Sequence, residues 1–145
     1  MASVYRSCVI AAPAAQVWQI IRDFNGLAAW TSFVEDSRIE MGERADQVGC
    51  IRNFRLKGGG QIREKLLALS DFDLSCTYSI LESPMDLSNY VATLSLTPVT
   101  DADATFAQWQ AEFDCEPERE DALLRQIGED VFHTALKALQ QRFSR

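Results

Sequence analysis

Histidine and paired cysteines are scarce in this sequence. There is one histidine, His133, and no Cys-x-x-Cys pair among the four cysteines. A single histidine excludes a centre of several histidines, and isolated cysteines give no sign of a zinc site or a thioredoxin-type redox site. The acidic residues also lack the spacing of a calcium-binding loop. We therefore expect no metal ion and no cofactor, with the cysteines as small strand or core residues: Cys8, Cys50, Cys76 and Cys115.

Positive charge is also limited. Lysine and arginine number 14 against 21 aspartates and glutamates, which gives a formal net charge of −7. No cluster of basic residues interrupts this acidic balance. Because nucleic-acid binding depends on neutralising phosphates with clustered basic side chains, we expect no nucleic-acid partner.

Long apolar runs are absent as well. No segment approaches the roughly 20 consecutive apolar residues that a membrane-spanning helix needs, and residues 1–10 lack the apolar centre of a signal peptide. We therefore expect a cytoplasmic protein without a membrane span. The length of 145 residues and the 47% of hydrophobic residues predict a single domain, residues 1–145, that can bury a core.

The strongest pattern that is present is a long helix from Pro117 to Phe143. Pro117 suits a first helical position, acidic residues follow it, and Lys137, Arg142 and Arg145 place positive charge near the other end. A helix of this length is about 39 Å long, and its broad apolar face needs an extended cover. That face consists of Leu124, Ile127, Val131, Ala135 and Ala138, widened by Leu123, Phe132, Leu136, Leu139 and Phe143.

The rest of the chain has the pattern of short strands. Ser3 to Ile10 alternates weakly and leads into a helix that Pro13 begins and Asn25-Gly26 ends, followed by a short helix or turn from Leu27 to Phe33. Six strand-like runs with short connections follow, which predicts antiparallel neighbours. The runs are Val34 to Met41, Cys50 to Lys57, Gln61 to Leu69, Leu74 to Leu81, Tyr90 to Val99 and Thr105 to Cys115.

Side-chain alternation along these strands predicts which residues face the helix. Two charged residues, Arg52 and Glu64, fall in inward sets on adjacent strands and therefore point towards the core. The inward sets are Cys50, Arg52, Phe54 and Leu56; Ile62, Glu64, Leu66 and Ala68; Leu74, Cys76, Tyr78 and Ile80; Tyr90, Ala92, Leu94 and Leu96; and Trp109, Ala111 and Phe113.

Several short motifs along the chain carry a family resemblance. They are Ala12-Pro13, Val17-Trp18, Asp23-Phe24, Trp30, Val48 to Arg52, Ile62 to Leu66 and the terminal helix. With them the chain resembles the Bet v 1-like, START-related superfamily (SRPBCC), in particular its polyketide cyclase/dehydrase-like family, over essentially all of its length. The resemblance implies an α+β helix-grip fold, in which a curved seven-stranded antiparallel sheet wraps a long C-terminal helix and two short helices lie between strands 1 and 2. It also implies a cavity for lipids, sterols, polyketides or other apolar molecules.

A more distant resemblance, from Val17 to Tyr90, is to the plant abscisic acid receptors. Gly58 to Gly60 falls at their gate loop, and Glu82 to Tyr90 falls at their latch loop. The gate here is shorter and lacks their Ser-Gly-Leu-Pro sequence, and Glu35 replaces the lysine that holds the hormone carboxylate. Because Glu35 and Glu64 would repel a carboxylate unless Arg52 intervened, we retain the cavity geometry and not the hormone-receptor function.

The sequence thus predicts binding of a small, mostly apolar ligand of lipid, polyketide or aromatic type between the sheet and the C-terminal helix. Access would lie between the Gly58 to Gly60 loop, either a hairpin turn or a mobile lid, and the Ser83 to Ser88 loop. Polar contacts are expected from Arg52, Glu64, Tyr78 and Tyr90, and the wall from Phe54, Leu56, Ile62, Ile80, Leu87, Leu94, Trp109, Ile127 and Val131.

Two other functions stay open at this point. Glu64 could act as general acid or base in a cyclase, dehydratase or isomerase, with Arg52 or a tyrosine stabilising an enolate, or it could be consumed by an ion pair with Arg52. Alternatively, ligand-controlled loops around Pro84 and Leu87 could present a surface to a protein partner, and the chain could be a monomer or a homodimer. His133 lies off the apolar stripe and is expected to face solvent.

Overall fold

Seven antiparallel strands form one sheet in the computed structural model, which describes residues 1–144. The strand order is β1-β7-β6-β5-β4-β3-β2. Strands β2 to β7 are therefore neighbours in chain order, as their short connections predict, and β1 returns to pair with β7. The strands are β1 Ala2–Ile10, β2 Val34–Ile39, β3 Ile51–Leu56, β4 Gln61–Ser70, β5 Ser75–Glu82, β6 Ser88–Val99 and β7 Ala104–Asp114.

Two short helices, α1 Ala14–Ile21 and α2 Leu27–Trp30, connect β1 to β2. Helix α1 ends earlier than Asn25-Gly26 because Asp23 starts a turn. The Asp23 carboxylate accepts a hydrogen bond from the Asn25 amide at 3.2 Å, and its carbonyl accepts one from the Gly26 amide at 2.9 Å. Phe24 consequently lies in the link between the helices, where its side chain is buried.

The long C-terminal helix, α3, runs from Pro117 to Arg142 and confirms the sequence prediction. Its first turn, Pro117–Arg119, is a 3₁₀ turn, followed by α-helix over Glu120–Arg125, π-helix over Gln126–His133 and α-helix over Thr134–Arg142. Arg145, counted above among the positive charges near the helix end, lies outside the described residues. None of the helices within residues 1–144 is long and apolar enough to cross a membrane.

The π segment of α3 changes which residues face the sheet. Ile127 and Phe132 are both fully buried although they are five residues apart, which is the spacing of a π-helix. Val131, placed by the sequence at the centre of the stripe, is only half-buried. The most buried residues of the helix are Leu123, Ile127, Phe132, Ala135, Leu136 and Leu139.

The alternation of the strands orients most of the inward residues as expected. The exception is Ala68, which is exposed because the pairing of β4 with β5 shifts between Leu66 and Ala68. One extra residue in a strand reverses the faces that follow it. Leu69 therefore takes the inward position and packs against the core.

Candidate functional site

A cavity of about 90 Å³ lies between the inner face of β3 to β6 and the π segment of α3. Nine of the thirteen ligand-binding residues expected from the sequence line this cavity. They are Phe54, Leu56, Ile62, Glu64, Tyr78, Ile80, Tyr90, Ile127 and Val131.

Strand register brings these side chains together. Phe54 on β3 pairs with Ile62 on β4, and Glu64 on β4 pairs with Ile80 on β5. Because residues two apart on a strand share a face, Glu64 necessarily points to the same side as Ile62. Side-chain alternation and strand pairing therefore place one carboxylate among apolar residues in the cavity wall.

Arg52 and Glu64 form a buried ion pair at the edge of the cavity. The two residues are cross-strand partners, and their side chains are only 6% and 8% exposed. Arg52 Nε lies 2.8 Å from Glu64 Oε1, and Arg52 Nη2 lies 2.6 Å from the same oxygen. Both contacts use Oε1, so Glu64 Oε2 accepts no hydrogen bond from Arg52.

The guanidinium of Arg52 also connects the sheet to the link between α1 and α2. Its Nη1 donates a hydrogen bond to the Phe24 carbonyl at 3.0 Å. Its Cζ lies 3.9 Å from the centre of the Phe24 ring and 4.7 Å from that of Tyr78, distances at which a cation is attracted to an aromatic face. The positive charge of Arg52 is therefore stabilised by the Glu64 carboxylate, by the Phe24 carbonyl and by two aromatic rings.

A second, smaller cavity of about 20 Å³ is lined by three of the four remaining candidates. Arg52, Leu94 and Trp109 line this space, and Tyr78 lines both cavities. The Tyr78 hydroxyl accepts a hydrogen bond from Trp109 Nε1 at 3.1 Å. This bond holds the phenol ring between the two cavities. The single cavity predicted from the sequence is thus divided in two by Tyr78 and Arg52.

Leu87 lines neither cavity, in contrast to the sequence prediction. Asn89 has a left-handed backbone with φ of 53°, and the pairing of β6 with β7 shifts between Ser88 and Val91. The alternation that directs Tyr90 inward therefore does not extend back to Leu87. Met85 reaches the larger cavity instead.

Sequence reasoning missed four residues of the larger cavity: Phe33, Pro84, Met85 and Gln126. Phe33 precedes β2, and its carbonyl accepts a hydrogen bond from the Lys57 amide, which ties it to β3. Gln126 begins the π segment, for which the sequence has no clear signal. Pro84 and Met85 lie in the Ser83 to Ser88 loop, which was expected to border the entrance. Including the side chains of that loop among the lining residues would have found them.

Glu35 does not belong to the cavity. Its side chain is exposed, and it lines neither space. The pairing of β2 with β3 shifts between Val34 and Asp36, so Glu35 occupies the irregular position. Of the two glutamates expected to repel a ligand carboxylate, only Glu64 lies at the cavity.

The two loops expected to border the entrance lie near each other beside the cavity; they are Gly58 to Gly60 and Ser83 to Ser88. The glycine loop is closed by hydrogen bonds between Leu56 and the glycines, and Gly60 has a φ of +106° that favours glycine. A Cβ at Gly60 would lie 3.5 Å from Pro84 Cγ and 3.4 Å from Leu56 Cδ1. Pro84 and Leu56 both line the cavity, so Gly60 lies close to its wall on this side.

Burial controls the protonation of the polar groups in this region. It raises the pKa of the Glu64 carboxyl group, while the Arg52 guanidinium opposes that shift. Burial, together with the nearby Glu64, also raises the pKa of Tyr90, and burial raises that of Tyr78. Both tyrosines are therefore neutral hydrogen-bonding groups at neutral pH. Because arginine stays protonated, the Arg52 and Glu64 pair is electrically balanced only while Glu64 is ionised.

Known proteins share this architecture over nearly the whole chain. Residues 1–144 match the family described as polyketide cyclase / dehydrase and lipid transport. The protein XoxI from Bacillus cereus is 28% identical, with a TM-score of 0.88 over 99% of this chain and 96% of that one. A protein from Thermobifida fusca is 31% identical, with a TM-score of 0.89 over 99% and 93% of the two chains. No curated protein matches the sequence significantly.

The fold is also that of a START superfamily protein from Mycobacterium smegmatis, which is 15% identical and has a TM-score of 0.79 over 97% and 96% of the two chains. At that identity the likeness concerns the fold alone. It confirms the α+β helix-grip arrangement, and the family match confirms the polyketide cyclase/dehydrase-like resemblance. The family match includes every strand and helix that borders the larger cavity. The chain therefore belongs to the polyketide cyclase / dehydrase and lipid transport family.

Proposed function

We propose that the protein binds a small, mostly apolar molecule of lipid, polyketide or aromatic type in the larger cavity. The observation that carries the proposal is the composition of the wall. Nine of its thirteen residues are apolar, and the others are two tyrosines, one glutamate and one glutamine. Largely apolar walls with few polar groups are typical of small-molecule sites.

The size of the cavity sets a condition on this function. A volume of about 90 Å³ equals roughly three water molecules at about 30 Å³ each, whereas drug-sized ligands occupy roughly 300–1,000 Å³. A ligand larger than a few heavy atoms must therefore displace wall residues. Pro84 and Met85 are the candidates, since they lie in a loop rather than in the sheet.

Ligand binding is favoured over acid-base catalysis by the state of Glu64. Its Oε1 accepts a hydrogen bond from Arg52 Nε and lies 2.6 Å from Arg52 Nη2, and the pair is buried. A general base takes up a proton during the reaction and therefore changes its charge. A change of charge at Glu64 would leave the Arg52 guanidinium buried without a counter-charge, which is costly.

Ligand binding is also favoured over a protein-interaction module. A protein-interaction surface at the cavity entrance would need a contiguous exposed apolar patch on the Ser83 to Ser88 loop. None of the large apolar residues exposed within residues 1–144 lies in the Ser83 to Ser88 loop; Leu81 and Val91 are the nearest to it along the chain. Leu87 packs against the core.

The first experiment is native mass spectrometry of the protein purified from its own host, followed by denaturing extraction and identification of the released compounds. We expect one apolar compound at about one per chain. A protein that carries no compound and takes up none from a host lipid and metabolite extract would contradict the proposal.

A pair of valine variants ties the bound compound to the cavity. Val131→Trp places an indole in the cavity wall, and Val91→Trp places the same side chain on the exposed face of β6. We expect the compound to be lost from the first variant and retained by the second. Retention by both, with both folded by circular dichroism, would place the binding site elsewhere.

A further inference from the structure

Glu64 presents one oxygen that the protein does not use. Oε1 receives both contacts from Arg52. No buried side-chain oxygen or nitrogen within residues 1–144 lacks a hydrogen-bond partner. Oε2, which accepts no hydrogen bond from the described residues, must therefore retain accessible surface. Since Glu64 is only 6% exposed and lines the larger cavity, that surface faces the cavity.

From this geometry we propose that the ligand is uncharged and carries a hydroxyl group, which donates a hydrogen bond to Glu64 Oε2. The inference rests on the proposed function and specifies its ligand class. Carboxylate oxygens only accept hydrogen bonds, so the group that meets Oε2 must be a donor. A ligand without a donor would leave Oε2 buried without a hydrogen-bond partner, at the full desolvation cost of an unsatisfied charged group.

A hydroxyl fits better than other donors because it can also accept. Tyr90 lines the same cavity, and its raised pKa keeps the phenol protonated. Tyr90 can therefore donate to the ligand oxygen while that oxygen donates to Glu64. The Tyr78 hydroxyl already accepts a hydrogen bond from Trp109, a contact that Tyr90 does not share.

Negatively charged ligands are excluded by the same set of residues. Among residues 1–144, no lysine and no arginine lines this cavity. Arg52 is directed to Glu64 and to the Phe24 carbonyl, and it lines the other cavity. A ligand carboxylate would therefore meet the negative charge of Glu64 in a poorly solvated space without a free cation.

The test compares three probes of one shape: 4-methylphenol, 4-methylanisole and 4-methylbenzoate. Because they exceed the cavity volume, each is titrated calorimetrically into the wild-type protein and into Ile80→Ala, which removes three carbons from the wall. We expect the phenol to bind at least about tenfold more tightly than its methyl ether, as for a hydrogen bond to a charged group. We expect no measurable binding of the benzoate.

The outcomes separate this inference from the proposed function. Equal affinities for the phenol and the ether, or binding of the benzoate as tight as that of the phenol, would overturn the hydroxyl inference and leave apolar binding intact. Absence of binding by all three to both proteins would contradict both proposals.

A variant of Glu64 gives an independent measure. Glu64→Gln replaces an acceptor-only group with one that can donate at the cavity, so the preference for the phenol over the ether should fall towards unity. Glu82→Gln, an exposed glutamate on β5, is the matched control and should keep the preference. If Glu64→Gln does not fold, the probe series on the wild-type protein still decides the question.

Discussion

Arg52 and Glu64 are the two charged side chains that the sheet directs inward. Strand alternation alone predicts their orientation. Arg52 is two residues from Phe54 and therefore shares its face of the sheet, and Glu64 shares the face of Ile62 for the same reason. Their pairing also follows, since adjacent antiparallel strands align them. What alternation does not reveal is that Arg52 turns to Phe24 and towards the smaller cavity, since Phe24 lies on a different element.

Removing one member of this pair should be strongly destabilising. We expect Arg52→Met to lower the free energy of unfolding by about 3–5 kcal/mol, because it leaves Glu64 charged and buried without a partner. Arg52→Met combined with Glu64→Leu should recover most of this loss, since no uncompensated charge remains. Chemical denaturation of the single and double variants measures both effects.

Arg55 on the same strand is the matched control. It forms an ion pair with Asp36, but its side chain is 65% exposed. Arg55→Met should therefore lower the free energy of unfolding far less than Arg52→Met does. A similar cost for the two arginines would mean that Arg52 is not the contact that joins the sheet to the link between α1 and α2.

At the scale of elements, the turn after β2 is held to the sheet by a second, outer cluster of polar residues. Glu40 accepts hydrogen bonds from Arg63 Nε at 2.6 Å, from Arg63 Nη2 at 2.9 Å and from Asn53 at 2.9 Å. Arg63 also contacts Glu82 on β5. These bonds, with Arg63 foremost, lower the pKa of Glu40 from its ordinary value of 4.5 to about 2.

The lowered pKa of Glu40 predicts acid sensitivity. Because the folded state favours the ionised carboxylate, its contribution to stability is fully present above pH 4.5 and is lost as the pH falls towards about 2. Denaturant unfolding measured across this range should show a smaller decline for Glu40→Gln than for the wild type. Glu43→Gln, an exposed change in the same turn, should keep the wild-type decline; parallel curves for all three proteins would contradict the assignment.

The π segment of α3 carries its own prediction. A Cβ at Gly128 would lie 2.6 Å from Arg6 Nη2, and Arg6 pairs with Glu129 at 2.8 Å. Arg6 is a flexible side chain at the surface, so it can move aside and lose only a weak ion pair. Since alanine is favoured over glycine in a helix by about 1 kcal/mol, Gly128→Ala should change stability little in the wild type.

The same substitution should stabilise a protein that lacks the arginine. In an Arg6→Ala background, Gly128→Ala should raise the free energy of unfolding by up to about 1 kcal/mol. A double-mutant cycle by thermal or chemical unfolding isolates this difference. Equal effects of Gly128→Ala in both backgrounds would show that Arg6 does not restrict the π segment.

At the scale of the whole molecule, ligand access depends on the loop between β5 and β6. Met85 lines the cavity and is unbranched, so it can move without disturbing the sheet. We expect Met85→Ala to speed both association and release of 4-methylphenol, measured by stopped-flow mixing, by several-fold. Met41→Ala, which changes a methionine that is 90% exposed in the turn after β2, is the control. Unchanged rates in both variants would place the access route elsewhere.

The sequence by itself determined the seven strands, the long C-terminal helix and the inward direction of Arg52 and Glu64. These features follow from patterns within single segments, namely alternation in strands and three- or four-residue spacing in helices. Local patterns of this kind are readable without knowledge of the neighbours. The family resemblance rested on the same segments and was confirmed by the match over residues 1–144.

The tertiary structure alone decided how the interior is divided. Tyr78 and Arg52 separate two cavities because Trp109 and Phe24, from distant parts of the chain, hold them in place. Pairing irregularities exposed Ala68 and left Leu87 outside the cavity. Each of these outcomes depends on contacts or register between separate segments, and no single segment encodes them.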